Sequence, residues 1–440
     1  MDLYKNKKVL IFGLGLNQGG VGSAKFFAKQ GAKVRVTDLK SKAVLKPSLN
    51  ELKDFPEIEY TLGKHNNKDI DWADLIIKNP AVKRDSKYLN YARQKKKSIE
   101  TDLGIFFKLV NKSQIIGVTG TKGKSTTASL IYEGLKGGGK KVILAGNIGR
   151  SVLDALPFIK DDTLIVLEIS SFQLEGLIPY RISPKYAVIT NIYPDHLNYY
   201  PGMYEYIAAK RLITQFQTKT DFLFLNKDEL TLNNSKFLKL LSTNVIFYSK
   251  DNLPMDFRPT LAGKHNLANY AASLAVCQKF LIPEGQALTA MKKFKGAQFR
   301  LEIIKKWQGI KILNDTTATS PSAGMQALQT FPNSIIIAGG MNKNMPYQDY
   351  VKSLENNAKE IFFLAGDSTD LIISLLKKSS SKVKFHGPYH DLKKLLKDVK
   401  KIVAKDDVIL FSPAATSYNL FQNEFDRGRK FNEAVEKIFT

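Results

Sequence analysis

Cysteine is almost missing from this chain: Cys277 is the single one in 440 residues. That excludes an internal disulfide and any metal site built from a cysteine cluster. Cys277 itself stands among Ala, Leu and Val and reads as a buried, inert thiol rather than a nucleophile. Long apolar runs are missing too. The longest, such as SIIIAGG at 334–340, fall far short of a membrane span, and no N-terminal stretch has a signal-peptide layout. The sequence therefore predicts a cytoplasmic protein with no membrane partner. Internal repeats, low-complexity tracts and long linkers are also absent. Acidic residues are scarce beside basic ones, 41 Asp and Glu against 66 Lys and Arg, for a net charge of +25. Such an excess invites a nucleic-acid reading, but the dense runs KKK (95–97) and KKLLKDVKK (393–401) are short, separated and fit solvated helix faces. With no recognisable nucleic-acid module and no array of stacking aromatics, no nucleic-acid partner is expected. A basic surface would instead gather anionic nucleotides by steering.

What is present is the composition of a globular protein, 43% hydrophobic and 24% charged, in a chain too long for one core. Strand-like and helix-like stretches alternate. KKVLIFGLG, AKVRVTD and ADLIIKNPA belong to a first block; IIGVTG, KVILAG, TLIVLEIS, YAVITNI and DFLFLN to a second; EIIKKWQGIKILND, SIIIAGG, EIFFLAG and DVILFSPA to a third. Alternation of this kind argues parallel, doubly wound sheets whose ligands gather at the carboxyl ends of the strands. The expected fold is α/β in three domains: Rossmann-like over 1–97, a central mononucleotide-binding domain of P-loop type over 98–298, and Rossmann-like again over 299–440.

The most specific local signal is IIGVTGTKGKSTTASLIYEGL, starting at residue 115. Gly117, Gly120 and Gly123 let backbone N–H groups converge on an anion, and the following helix adds its positive end. Lys124 can reach β- and γ-phosphates, and the Ser125 hydroxyl can sit on Mg²⁺. The strict phosphate-loop pattern needs Gly at 118, where Val118 stands, so this is the variant GTKGKST. The N-terminal turn GLGLNQGGVG is weaker. A dinucleotide fingerprint starting at Gly13 fails because its last glycine would fall on Gln18. Such a turn can hold other phosphate or nucleotide groups as well.

Further polar groups stand where strands end. Glu168 and Ser170 in LEISSFQLEGL offer hard oxygen ligands suited to Mg²⁺ beside a triphosphate. Asp195 and His196 follow another strand, with Lys210 on the next helix. Taken alone, His196 is a hydrogen-bonded loop histidine and Lys210 a solvated helix-face lysine. In GKHNLANYAAS, the amides of Asn266 and Asn269 suit either a purine edge or a helix cap. Asp315, ending a strand in NDTTAT, either caps a helix or approaches the nucleotide.

Together these residues resemble one family, the Mur ligases, ATP-dependent amide-forming enzymes of peptidoglycan precursor synthesis. The resemblance is carried by GTKGKST, GNIG (146–149), LEISSFQLE, TNIYPDHLNYY, AAKR, GKHNLANYAA, FRLE (299–302), NDTTAT, AGGMNK (338–343) and SPAATSYNLFQNEFDRG (412–428), over essentially the whole chain. SSFQLE, the GLGL turn and the closing segment look like the branch that adds D-glutamate to UDP-N-acetylmuramoyl-L-alanine. A DNPR-type signature, expected of the ligase adding the third peptide residue, is absent.

The resemblance implies a monomer whose substrates are ATP, UDP-N-acetylmuramoyl-L-alanine and D-glutamate, and two Mg²⁺ sites. Lys124, Glu168, His196 and Lys210 would be catalytic, and Ser125, Glu168, His196 and Lys210 would hold metal. Lys210 would do so after carbamylation by CO₂, which turns a cation into an oxygen-donating anion. Gly120, Thr121, Lys122, Gly123, Lys124, Ser125, Thr126, Asn266, Asn269, Arg300 and Asp315 would bind ATP. Leu16, Asn17, Asp38, Lys40, Asn147, Ser170 and His196 would face the UDP-sugar. Thr319, Lys343, Ser417 and Phe421 or Phe425 would surround D-glutamate. Thr317 stands where some members carry Lys, NQGG lengthens the first turn, and QNEFDRG shifts the aromatic by one position. Two other readings share parts of this machinery: a ligase for another amino acid or acceptor, including the folylpolyglutamate synthetases, and a nucleotide-dependent regulatory protein that forms no amide.

Overall fold

The computed structural model describes residues 3–16, 18–148, 150–197, 199–229, 242–342, 345–379, 382–417 and 420–440. The chain divides into two compact units, residues 1–258 with 267–294, and residues 259–266 with 295–440.

The first unit holds two sheets. One runs in the order β3-β2-β1-β4-β5, from β1 (Lys8–Phe12), β2 (Lys33–Asp38), β3 (Glu59–Leu62), β4 (Leu75–Lys78) and β5 (Ser98–Glu100). It is parallel throughout. β5 carries this sheet to residue 100, past the boundary expected at 97. The second runs β11-β10-β9-β6-β8-β7, from β6 (Ile115–Thr119), β7 (Val142–Gly146), β8 (Leu164–Glu168), β9 (Tyr186–Ile189), β10 (Phe222–Asn226) and β11 (Asn244–Tyr248), and is again parallel. Strands covered on both faces are apolar at almost every position, as in IIGVT of β6, where all side chains are buried. One continuous apolar core runs from Val9, Ile11 and Val36 through Phe106 to Ile165, Leu167 and Ile189, joining the two sheets, and a smaller one around Leu10, Phe12 and Ile76 covers the other face of the first. Helix Gln18–Lys29 lies so close to the short helix Val152–Ala155 that a Cβ on Gly22 would collide with Ser151 Oγ.

The second unit carries β12 (Glu302–Trp307), β13 (Ile310–Asn314), β14 (Ser334–Ala338), β15 (Ala358–Leu364), β16 (Lys384–Tyr389) and β17 (Val408–Phe411) in the order β12-β13-β17-β14-β15-β16. Alternate residues of β14 serve two cores, Ile335 and Ile337 on one face and Ile336 and Ala338 on the other. The stretch EIIKKWQGIKILND, read from sequence as one strand, is instead a hairpin, and β12 pairs antiparallel with β13. Gln308 and Gly309 both have positive φ, 46° and 86°, the backbone that a two-residue hairpin turn requires. Among the described residues no helix is long and apolar enough to cross a membrane.

Candidate active site

The phosphate loop joins β6 to helix Lys124–Gly137 at the carboxyl edge of the second sheet. Gly120 (φ 145°) and Gly123 (φ 81°) are left-handed, and a Cβ on either would run into Thr190 Oγ1 or Asn269 Oδ1. The helix presents the positive end of its dipole to this turn. Lys124 Nζ donates to the carbonyls of Gly120 (3.0 Å) and Thr121 (2.9 Å), and Ser125 is buried in the first turn.

β6 lies between β9 and β8, and both neighbours end beside the loop. Glu168 ends β8, paired in register with Val118 and Gly146, and is only 1% exposed. One carboxylate oxygen accepts from Asn147 Nδ2 at 3.2 Å; the other, Oε2, is buried with no hydrogen-bond partner among the described residues. A carboxylate oxygen held out of water without a donor is a strong acceptor for a hard cation. Among the described residues no group of three His, Cys, Asp or Glu could hold a metal. A cation here would take its remaining ligands from hydroxyls and phosphate oxygens.

Past β9, Asp195 Oδ1 accepts from the His196 backbone N–H (2.9 Å), and Asp195 Oδ2 stands 3.6 Å from Lys122 Nζ. His196 is in the left-handed region (φ 55°), and its ring meets Phe172 edge-on at 5.0 Å and Tyr206 at 6.1 Å between centroids. Helix Met203–Arg211 brings Lys210 to the same place. Lys210 is 1% exposed, so it is not the solvated helix-face lysine that its sequence alone suggests. Its Nζ donates to Gly120 O at 2.8 Å and sits 4.6 Å from the Tyr206 ring centroid. Burial, reinforced by the nearby Lys124 and Lys122 charges, holds its amine well below the ordinary lysine value, against the pull of Asp195 and Glu168. Asn269 completes this group, accepting from Thr127 Oγ1 at 3.1 Å.

Ser170 is spent locally: with Gln173 it forms a capping box at helix Ser171–Glu175. At the carboxyl edge of the first sheet, Asp38 accepts from the backbone N–H groups of Gly15 and Lys40, both at 2.8 Å. Leu16 is half-buried and Lys40 exposed beside that turn, while Asn17 lies outside the described residues.

In the second unit, Asp315 accepts from Leu301 N–H (3.1 Å) and Ser412 Oγ (2.7 Å), and Arg300 is exposed. Asn266 donates to Ala262 O at 2.6 Å. Thr317 donates to Phe299 O (2.8 Å) and Thr319 is half-buried. Ser417 Oγ is buried without a partner among the described residues. Phe421 packs on the core and Phe425 is 39% exposed. Lys343 lies outside the described residues.

Sequence reasoning missed three side chains. Tyr206 donates to or accepts from Thr121 Oγ1 at 3.1 Å while flanking Lys210 and His196. Arg427, fully buried, ties Thr316 to Ala415 O through three hydrogen bonds. Asn191 grips the phosphate loop. The signal for Tyr206 was its spacing, one helical turn before Lys210.

Comparisons with known proteins cover the same ground. The family profile described as "Mur ligase MurD-like, N-terminal domain" matches residues 7–100, "Mur ligase middle domain" 118–260, and "Mur ligase, glutamate ligase domain" 299–415. A protein of Roseiflexus sp. (strain RS-1) named UDP-N-acetylmuramoylalanine–D-glutamate ligase is 35% identical, over 98% of this chain and 99% of its own. One of the same name from Borreliella burgdorferi (strain ZS7) is 37% identical, over 100% and 99%. Among solved structures, the UDP-N-acetylmuramate-alanine ligase MurC of Thermotoga maritima superposes with a TM-score of 0.65 at 21% identity, over 98% of this chain and 99% of that one. The MurF ligase of Thermotoga maritima, in complex with ADP, gives 0.58 at 16%, over 99% and 96%. At these identities the two structures speak for the fold.

Proposed function

The chain belongs to the Mur ligase family, and within it we propose that it joins D-glutamate to UDP-N-acetylmuramoyl-L-alanine at the expense of ATP, in cytoplasmic peptidoglycan precursor synthesis. The observation that carries the chemistry is the convergence of Lys124, Ser125, Glu168 and Lys210 on one Gly-rich turn, with His196 alongside. The naming of full-length relatives selects the amino acid.

The reaction needs two anions brought together. The substrate carboxylate attacks the γ-phosphorus and ADP leaves. The amine of D-glutamate then adds to the acyl phosphate, and the tetrahedral intermediate expels phosphate. Neither step uses a protein nucleophile, so the protein's contribution is positioning and charge. Lys124 suits the β- and γ-phosphates. Mg²⁺, when bound, neutralises phosphate charge; Ser125 and Glu168 would hold one ion, and His196 and modified Lys210 a second. The Oε2 of Glu168, buried without a partner among the described residues, supports the first assignment.

Lys210 supports the second through its amine. Burial and the neighbouring ammonium groups favour its neutral form, the form with a lone pair to give CO₂. Addition of the neutral amine forms the N–C bond, releases a proton and leaves an anionic carbamate, which Lys124 attracts where a protonated amine would be repelled. The remaining assignments follow residue by residue. Segment 1–97 would hold the UDP end through Leu16, Asn17, Asp38 and Lys40. Segment 98–298 would hold ATP, with Asn147 and Ser170 toward the sugar. Segment 299–440 would bring Arg300 and Asp315 to ATP, and Thr319, Lys343, Ser417 and Phe421 or Phe425 to D-glutamate. The functional species is a monomer.

The test is phosphate release from ATP with the product identified by mass, offering UDP-N-acetylmuramoyl-L-alanine with D-glutamate, L-glutamate, L-lysine or meso-diaminopimelate. Amide product with D-glutamate alone is expected. Product with another amino acid only would reassign the substrate.

A further inference from the structure

A Gly-rich loop has little conformational preference of its own, because its glycines reach both signs of φ at similar energy. An anion cradle of fixed shape therefore needs external support, and beside the contacts of Lys210 and Tyr206 a concentrated part of it comes from residues 190–193, just past β9. Asn191 meets Lys122 twice: its Oδ1 accepts from the Lys122 N–H (2.8 Å) and its Nδ2 donates to the Lys122 carbonyl (3.0 Å). Its own carbonyl accepts from the Thr121 N–H at 2.9 Å. Thr190 Oγ1 donates to the same Lys122 carbonyl at 2.6 Å. The Tyr193 N–H donates to Thr121 Oγ1 at 3.0 Å, and that hydroxyl also meets Tyr206.

We infer that Asn191, seconded by Thr190, is a positioning residue for ATP: it fixes the phosphate loop, so that the backbones of Thr121 and Lys122 shape the cradle instead of contacting phosphate. This deepens the proposed function and rests on its ATP reading. The site demands an amide. One end must accept and the other must donate, so the orientation of the side chain is set by its partners. Aspartate, of the same shape, would turn an oxygen against the Lys122 carbonyl. Alanine would take the Asn191 amide away from both backbone groups of Lys122, leaving the Thr190 hydroxyl on the carbonyl, and the half-buried loop would lose preorganisation. The same segment leads directly into Asp195 and His196, so the clamp also sets the spacing between the phosphate loop and the histidine.

The experiment measures binding of a non-hydrolysable ATP analogue and, separately, of UDP to the full chain by calorimetry, with the thermal midpoint as a check on folding. For Asn191→Ala and Asn191→Asp the analogue's Kd is expected to rise about tenfold or more, with UDP affinity unchanged. Thr190→Val should weaken the analogue several-fold, and Thr190→Ser should recover most of that loss. If the Asn191 variants fail to fold, the Thr190 pair carries the test alone. Unchanged analogue affinity in a folded Asn191→Ala, or equal loss of analogue and UDP affinity, would overturn the inference while leaving the ligase reading intact. Failure of the parent chain to bind the analogue would overturn both.

Discussion

Two glycine turns in this molecule share a scaffold and differ in what their neighbours do. After β1, Gly13 and Gly15 take positive φ (97° and 66°), and the turn is tied down by Asp38 from the end of β2 and by Asn79, past β4, whose Nδ2 donates to Gly13 O. After β6, Gly120 and Gly123 do the same, tied down by Asn191 past β9, while Glu168 ends the strand on the other side. In both cases an asparagine beyond one flanking strand braces the loop and an acid ends the other. The difference lies in the acid. Asp38 gives an oxygen each to Gly15 and Lys40 N–H groups and is consumed in shaping the turn. Glu168 bonds Asn147 with one oxygen and keeps the other without a partner among the described residues. The first carboxylate is architecture; the second is available for chemistry. Lysines sharpen the contrast, since among the described residues only the second turn has two lysine side chains, Lys124 and Lys210, bonded to its own carbonyls.

The largest expected effect falls on the available acid. Glu168→Gln keeps the shape and a partner for Asn147 but removes the charge, and should lower kcat for phosphate release by about 10³-fold, the scale of losing one transition-state electrostatic contact. A loss under tenfold would erase the distinction between the two acids.

Lys210→Ala should come next, with about 10²-fold lower kcat and partial recovery by added short-chain carboxylates. Its titration offers a second check. Because the folded chain holds this amine well below 10.5, the unfolded chain binds the extra proton at intermediate pH. Unmodified protein, prepared free of CO₂, should therefore gain stability as pH rises toward 10.5, and Lys210→Met should lose that slope in denaturant titrations. Carbamate formation, followed by carbon-13 resonance with labelled bicarbonate, should increase with pH in the same direction.

Asp38→Ala tests the architectural acid. Two backbone N–H groups lose their acceptor, and UDP affinity should fall about tenfold while ATP-analogue affinity stays constant. Loss of both affinities would mean that the two turns are not independent sites. Smallest in activity is Gly22→Ala, which forces a methyl group onto Ser151 and should destabilise by about 1–3 kcal/mol, read as a lower thermal midpoint with near-native kcat.

Much of this was legible in the residues. The phosphate loop, the acid ending β8 and the parallel sheets follow from glycine spacing and from continuous apolar runs. Four strands did not announce themselves: β3, β5, β11 and β16. All four are edge strands with few fully buried positions; β3, β5 and β16 carry no apolar run, and VIFY of β11 is short and mostly half-buried or exposed. The β12–β13 hairpin was hidden because Gln308 shares its left-handed turn with Gly309, and glutamine carries no turn signal. Lys210 read alone as solvated because its helix is weakly amphipathic; only the fold shows it pressed onto Gly120. Asn191 and Arg427 act on partners far away in sequence, which no local pattern encodes.

The central claim, that a substrate carboxylate is activated on the phosphate of ATP and then captured by an amine, is tested most directly with oxygen-18 in the carboxylate of UDP-N-acetylmuramoyl-L-alanine. Turnover with ATP and D-glutamate should transfer one labelled oxygen into the released phosphate and leave the other in the amide. Unlabelled phosphate released in step with amide formation would contradict the account.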